Sequence, residues 1–164
     1  MKSAVLEKNK FVIKDIPRPF LEEYTQGAII KVEGCGLCGS DIVKLQNNLV
    51  KDGSVLGHEV VGEIVEINSN TDFRIGDRVV LGHHVPCYTC NYCLGGSYSM
   101  CRHFKSTNII PGGFSEFIYV SEEHLNNTVF HANLNLSSIE ASFTEPLACC
   151  IRAVKRAHLH DNSG

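Results

Sequence analysis

Through the first 120 residues, apolar and polar positions alternate in short runs punctuated by glycine. Ala4–Leu6 and Phe11–Ile16 flank Lys8-Asn9-Lys10, which predicts a hairpin whose second strand ends at Pro17 and Pro19. Ala28–Glu33 is a β-rich run that ends at Gly34 and Gly36. Val60–Ile67 alternates in part, with Val61, Ile64 and Ile67 as core positions on either side of Glu63 and Glu66. Arg78–Leu81 and Phe114–Val120 predict further strands, each entered through a glycine-bearing turn (Ile75-Gly76-Asp77 and Pro111-Gly112-Gly113). Short strands at this spacing predict a mostly β barrel or sandwich. Residues 82–108 fit no strand pattern.

After Val120 the pattern turns helical. Ser137-x-x-Glu140 is a capping box that opens a short helix, and Pro146 suits the first turn of a second one. Leu147, Ile151, Val154 and His158 then recur at helical spacing, with Lys155, Arg156 and His158 in the last turn, where cations complement the helix dipole.

Composition narrows the function classes. Of 164 residues, 43% are hydrophobic and 20% charged, an ordinary globular balance. Fifteen basic against 18 acidic residues leave a net charge of −3, which argues against a nucleic-acid-binding face or a polybasic membrane anchor. No apolar run approaches the ~20 residues of a membrane span, and Met1–Lys10 lacks the apolar core of an export signal. A cytoplasmic location is therefore expected, in which eight cysteines and eight histidines point to metal binding rather than to disulfides.

Four of those cysteines, Cys87, Cys90, Cys93 and Cys101, form C-x2-C-x2-C-x7-C. Thiolates at this spacing can enclose a tetrahedral zinc ion, and a site closed by four protein ligands is structural. Four free thiols are the alternative without metal. An iron–sulfur cluster fits the first three cysteines, but the fourth follows at the wrong distance and lacks the proline of that motif. A second constellation joins Cys38, in Gly36-Leu37-Cys38-Gly39-Ser40-Asp41, to His58 and Glu59, in Gly57-His58-Glu59. With Glu59 or Glu145 completing the shell, three protein ligands and an exchangeable position make a catalytic zinc pattern. Asp41 is placed to orient the ligand histidine.

Taken in order, these pieces resemble the zinc-dependent medium-chain alcohol and polyol dehydrogenases, in particular the amino-terminal catalytic domain with its GroES-like barrel. The resemblance also rests on Gly57-His58-Glu59-x-x-Gly62, Gly76-Asp77-Arg78-Val79, Gly112-Gly113-Phe114-Ser115-Glu116-Phe117 and Glu145-Pro146-Leu147. It implies a catalytic domain over 1–145, a structural zinc lobe over 83–108, and a connecting helix from 146 to 164. It also implies two zinc ions per chain. Cys38, His58 and Glu145 would hold the catalytic zinc, with Glu59 as an alternate ligand, and Cys87, Cys90, Cys93 and Cys101 the structural one. The implied reaction is hydride transfer from a secondary alcohol to NAD(P), with zinc as Lewis acid and Ser40 accepting the alcohol proton. Glutamate at position 145 matches the sorbitol, threonine and sugar dehydrogenase branch and so leans toward polyol or amino-alcohol substrates. A zinc-binding module without catalysis is the alternative.

Several positions refine the expectation. Where the family motif has glycine this chain has Asn68, a residue that tolerates a left-handed turn. Val43 stands where many relatives carry a relay histidine. Cys149 and Cys150 read as small packing residues, as does Cys35, whose pairing with Cys38 lacks a redox-motif setting. His83 and His84 read as exposed loop residues, and Asp77 as a turn residue. No cofactor-binding residue is assigned, and the expectation is a fragment that stops before its dinucleotide-binding (Rossmann) domain and is inactive alone. Full-length relatives are homo-oligomers by the same resemblance, whereas a monomer is open for these 164 residues.

Overall fold

The computed structural model describes residues 1–157. Strands β1 (Lys2–Glu7) and β2 (Lys10–Asp15) form the expected hairpin, paired from Lys2↔Asp15 to Glu7↔Lys10. Lys8 and Asn9 turn it with φ of 46° and 61°, the left-handed pair of a two-residue hairpin loop. The main sheet is antiparallel and five-stranded, in the order β6-β3-β4-β5-β7. Its members are β3 (Gly27–Gly36), β4 (Glu59–Ile67), β5 (Arg78–Leu81), β6 (Phe117–Ser121) and β7 (Val129–His131). The hairpin is tied to this sheet through the segments around Val55 and Ser115: Ala4 N–H donates to Phe114 O and Leu6 N–H to Ser54 O, both at 2.8 Å. Helices lie on the periphery: α1 (Gly39–Gln46), α2 (Asn91–Leu94), α3 (Arg102–Ser106), α4 (Glu122–Asn127), α5 (Ser138–Ser142) and α6 (Thr144–Arg156). The architecture is the expected one: a mostly β barrel with a cysteine lobe and a carboxy-terminal helix.

The core sits on the inner face of the main sheet, where Ile30, Val60, Ile64, Val79, Ile118 and Val120 are almost fully removed from water. The expected core positions of β4 divide between two faces, because side chains alternate along a strand. Ile64 joins the main core with Ile67 packed against it, while Val61 faces outward into a small cluster with Val80 and Ala141 of α5. Ser137 caps α5 as its sequence predicts: its hydroxyl accepts from Glu140 N–H, and Glu140 accepts from Ser137 N–H at 2.9 Å. Arg78 clasps this layer, donating to Glu33 at 2.9 Å, to Leu136 O at 2.7 Å and to Ser138 Oγ at 3.1 Å. Asp77 plays the turn role, accepting from Arg74 N–H at 2.7 Å.

Two expectations are corrected. Asn68 does not adopt positive φ; it ends β4 by accepting from Gly27 N–H at 2.8 Å through its side chain. Cys149 and Cys150 are not packed but exposed on α6, whereas Cys35 does pack against the main core. The apolar stripe of α6 also faces solvent, with Leu147 58%, Ile151 46% and Val154 53% exposed; His158 lies outside the described residues. The contrasting arginine face holds the helix to the lobe. Arg152 and Arg156 both donate to Gly96 O, at 3.0 and 3.1 Å.

Candidate metal centres

The lobe gathers its four cysteines around one point. Sγ–Sγ separations are 3.9 Å for Cys87–Cys93, 3.5 Å for Cys90–Cys93 and 3.6 Å for Cys87–Cys101. A tetrahedral zinc with Zn–S bonds of about 2.3 Å requires sulfur–sulfur edges of about 3.8 Å, so the donor set fits that ion without rearrangement. All four thiols are free, and the separations are far beyond the ~2.05 Å of a disulfide. Backbone N–H groups point at the sulfurs: Cys90 N–H donates to Cys87 Sγ at 3.4 Å and Cys87 N–H to Cys101 Sγ at 3.5 Å. Donation from Thr89, through its hydroxyl and its amide, and then from Cys90 holds the Cys87 thiol down to about 6, while burial pushes Cys93 up to about 12. The lobe thus already favours thiolate at one ligand.

The second cluster is assembled by the start of α1 and the start of β4. Cys38 caps α1, with its sulfur accepting from Ser40 N–H at 3.4 Å, and Asp41 closes a reciprocal box by accepting from Cys38 N–H at 3.2 Å. Ligating atoms of Cys38, His58 and Glu59 lie within 4.8 Å of one another, with His58 and Glu59 buried. Behind His58, the fully buried Asp41 places Oδ1 3.5 Å from Nδ1, and that oxygen has no other partner. The Asp41 carboxylate is the main reason His58 is raised to about 9, with burial opposing it. For Asp41 itself, burial disfavours the charge, but His58 and the Cys38 amide more than offset this, and its pKa is lowered. A soft thiolate, an imidazole and a carboxylate, with a buried acceptor behind the imidazole, make a donor set suited to zinc.

Glu145 is not among the three residues whose ligating atoms lie within 4.8 Å. It lies on the first turn of α6, where its carboxylate accepts from Cys149 Sγ at 3.5 Å, and it borders a cavity of about 630 Å³ between α6, the lobe and β5. The structure brings Glu59 within 4.8 Å of Cys38 and His58. Ser40 is exposed beside Cys38, and Val43 is exposed one turn further along α1.

The tandem histidines correct another expectation, since both are half-buried. The His83 ring lies 4.7 Å from that of His58 and 3.9 Å from that of His84, so the imidazoles form a stack leading away from the cluster. His124 fixes this loop from α4. Its Nε2–H donates to His83 O at 3.0 Å, which leaves Nδ1 to accept from the Ser121 hydroxyl at 2.7 Å. Burial, then the neighbouring His84 and His58, push His83 down to about 3. Burial likewise lowers His84, whose Nδ1 is bonded to Thr107 O. The adjacency of two histidines directly after a predicted strand was the available signal.

Two candidate metal-ligand clusters sit on a small antiparallel barrel. The chain belongs to the alcohol dehydrogenase GroES-like domain family, which residues 25–129 match. Sorbitol dehydrogenase of Bacillus subtilis is similar, at 33% identity over 172 positions that take in 99% of this chain and 47% of that protein. So is an uncharacterized zinc-type alcohol dehydrogenase-like protein of Haemophilus influenzae, at 34% identity over 97% of this chain and 46% of that one. Among solved structures, galactitol-1-phosphate dehydrogenase from Escherichia coli superposes with a TM-score of 0.81 at 30% identity, over 96% of this chain and 45% of that one. The chain spans about half the length of these relatives. No helix among the described residues is long and apolar enough to cross a membrane.

Proposed function

We propose that this chain is the catalytic domain of a zinc-dependent, NAD(P)-linked dehydrogenase that oxidises the secondary alcohol of a polyol. The observation that carries the reading is the Cys38–His58–Glu59 cluster backed by buried Asp41, separate from a four-cysteine lobe. Cys38, His58 and Glu59 would hold the catalytic zinc, with Glu145 as the alternate carboxylate, and Cys87, Cys90, Cys93 and Cys101 the structural one. A zinc ion at the first cluster supplies Lewis acidity toward the alcohol oxygen. The chain's own residues do the rest. Asp41 fixes the His58 ring and favours Nδ1 as its protonated nitrogen, which presents Nε2 as the donor. Ser40, exposed at the first turn of α1, accepts the alcohol proton and passes it to water, because Val43 offers no titratable group beyond it. The residues that bind the nicotinamide nucleotide are not assigned within these 164 positions.

Metal analysis tests the reading. The chain should carry two zinc ions, and Cys38→Ser should carry one; a single zinc unaffected by Cys38→Ser leaves a zinc-binding module without the catalytic centre. Assayed alone, these 164 residues should give no measurable NAD(P)-dependent oxidation of sorbitol, and a robust rate overturns that expectation.

Zinc uptake at this cluster should also depend on pH. A His58 raised to about 9 holds a proton at neutral pH, and zinc must displace it. Affinity should therefore rise with pH, by about tenfold per unit for this proton, and level off for His58 only above its raised pKa. Competition against a chelating dye at two pH values below 8 checks the slope, and Asp41→Asn should make it shallower.

A further inference from the structure

A separate pocket of about 320 Å³ is bordered by Lys44 of α1, by His83 and His84, and by Ser54 and Asn108. Its lining contains no acidic residue, although the chain carries 18 and a net charge of −3. Lys44 is half-buried, and among the described residues its ammonium has no ion-pair partner. The side chain of Asn108 accepts from Ile109 N–H at 2.9 Å through Oδ1, which leaves its amide N–H groups as the free end. The pocket thus combines one cation with neutral hydrogen-bond donors, the composition that receives an anion.

Lys44 has a structural reason to exist, since a cation in the last turn of a helix complements the dipole. That role does not require it to border a cavity or to approach the two imidazoles. Its charge is close enough to act on both rings and on Asp41, whose carboxylate stays committed to His58 and Cys38. His83 borders the pocket, and its ring packs 4.7 Å from that of His58, so the pocket and the metal cluster are neighbours across one imidazole.

We propose that this pocket is a substrate subsite for a phosphate monoester, so that the polyol handled here is a phosphorylated one. The proposal rests on the dehydrogenase reading, since it places the alcohol at the Cys38–His58–Glu59 cluster and the phosphate one imidazole away, against Lys44 and Asn108. The hydroxyl of Ser54 is the remaining donor.

Calorimetry on the zinc-loaded chain tests it, with sorbitol 6-phosphate, sorbitol and inorganic phosphate as probes. Sorbitol 6-phosphate should bind at least about tenfold more tightly than sorbitol, with free phosphate between them. Lys44→Ala should erase that preference and Lys44→Arg should keep it, which separates charge recognition from helix stability. Addition of the phosphate ester should shift the ring resonances of His83 and His84 in the parent chain and not in Lys44→Ala. Equal affinity for sorbitol and its phosphate, or a preference that survives Lys44→Ala, overturns the subsite. Inorganic phosphate binding as tightly as the ester would make the pocket a free-anion site and equally overturn the substrate assignment. Zinc content measured on the same samples keeps the two readings apart. Loss of the second zinc defeats the dehydrogenase centre, whereas two zinc ions with no Lys44-dependent binding defeat only the subsite.

Discussion

Cys93→Ser will strip the lobe of its metal and unfold it while leaving the barrel intact. Cys93 is 4% exposed and its sulfur faces those of both Cys87 and Cys90, so it is, with Cys101, one of the two buried ligand candidates of the four-cysteine cluster. Around it the chain from 87 to 106 forms only short helices, among which no large aliphatic side chain is buried. Such a segment has no apolar core to hold it, and a metal bound by the four thiols would take the place of one. Structural zinc binding in small domains carries about 10–16 kcal/mol of apparent free energy, far more than any other contact available to this lobe. The variant should contain one zinc fewer per chain. Amides of α2 and α3 should lose hydrogen-exchange protection while those of β3 and β4 keep it, because the sheet core is built from other residues. The α6 helix should loosen with the lobe, since Arg152 and Arg156 are anchored on Gly96 O. Full zinc content with unchanged protection in α2 and α3 would show that the thiols are not a metal site.

The strands were legible because a half-buried strand writes its two faces into alternate residues, and the longer ones could be placed to within a few positions. The elements that escaped are held by contacts distant in sequence. Strand β7 has only three residues and exists because Val79 and Leu81 pair with His131 and Val129. Helix α1 begins at a glycine and is capped by a cysteine, which is not among the residues that signal a helix start. The same distinction runs through the sites. The four lobe cysteines fall within fifteen residues, so their spacing alone announces a cluster. Cys38 and His58 are separated by a helix and a loop, and only the motifs around them suggested that they meet. The burial of His83 was out of reach, because it depends on His124, 41 residues away, holding its carbonyl. Exposure of Leu147, Ile151 and Val154 was equally hidden: periodicity defines an apolar face but not whether anything covers it.

Gly57→Ala should cost about 2–5 kcal/mol of stability and should also disturb zinc binding by the residue that follows it. Two physical effects add at this position. Gly57 has φ of 90°, a conformation that L-residues rarely adopt, and left-handed backbone costs a side-chain-bearing residue about 1–2 kcal/mol. A β-carbon built there would also lie 2.6 Å from the Phe114 ring and 2.8 Å from Phe114 N, with the latter fixed by its hydrogen bond to Leu56 O at 2.9 Å. Because the obstacle includes backbone, the segment itself must move, and His58 moves with it. Gly53 provides the control. It has nearly the same φ, 89°, but a β-carbon added to it would meet nothing within 4 Å, so Gly53→Ala carries the backbone strain without the collision. Denaturant midpoints should fall modestly for Gly53→Ala and severely for Gly57→Ala, and only the latter should release zinc from the Cys38 cluster. Equal losses in the two variants would mean that Gly57 serves the turn alone, and that the approach of Phe114 does not set the position of His58.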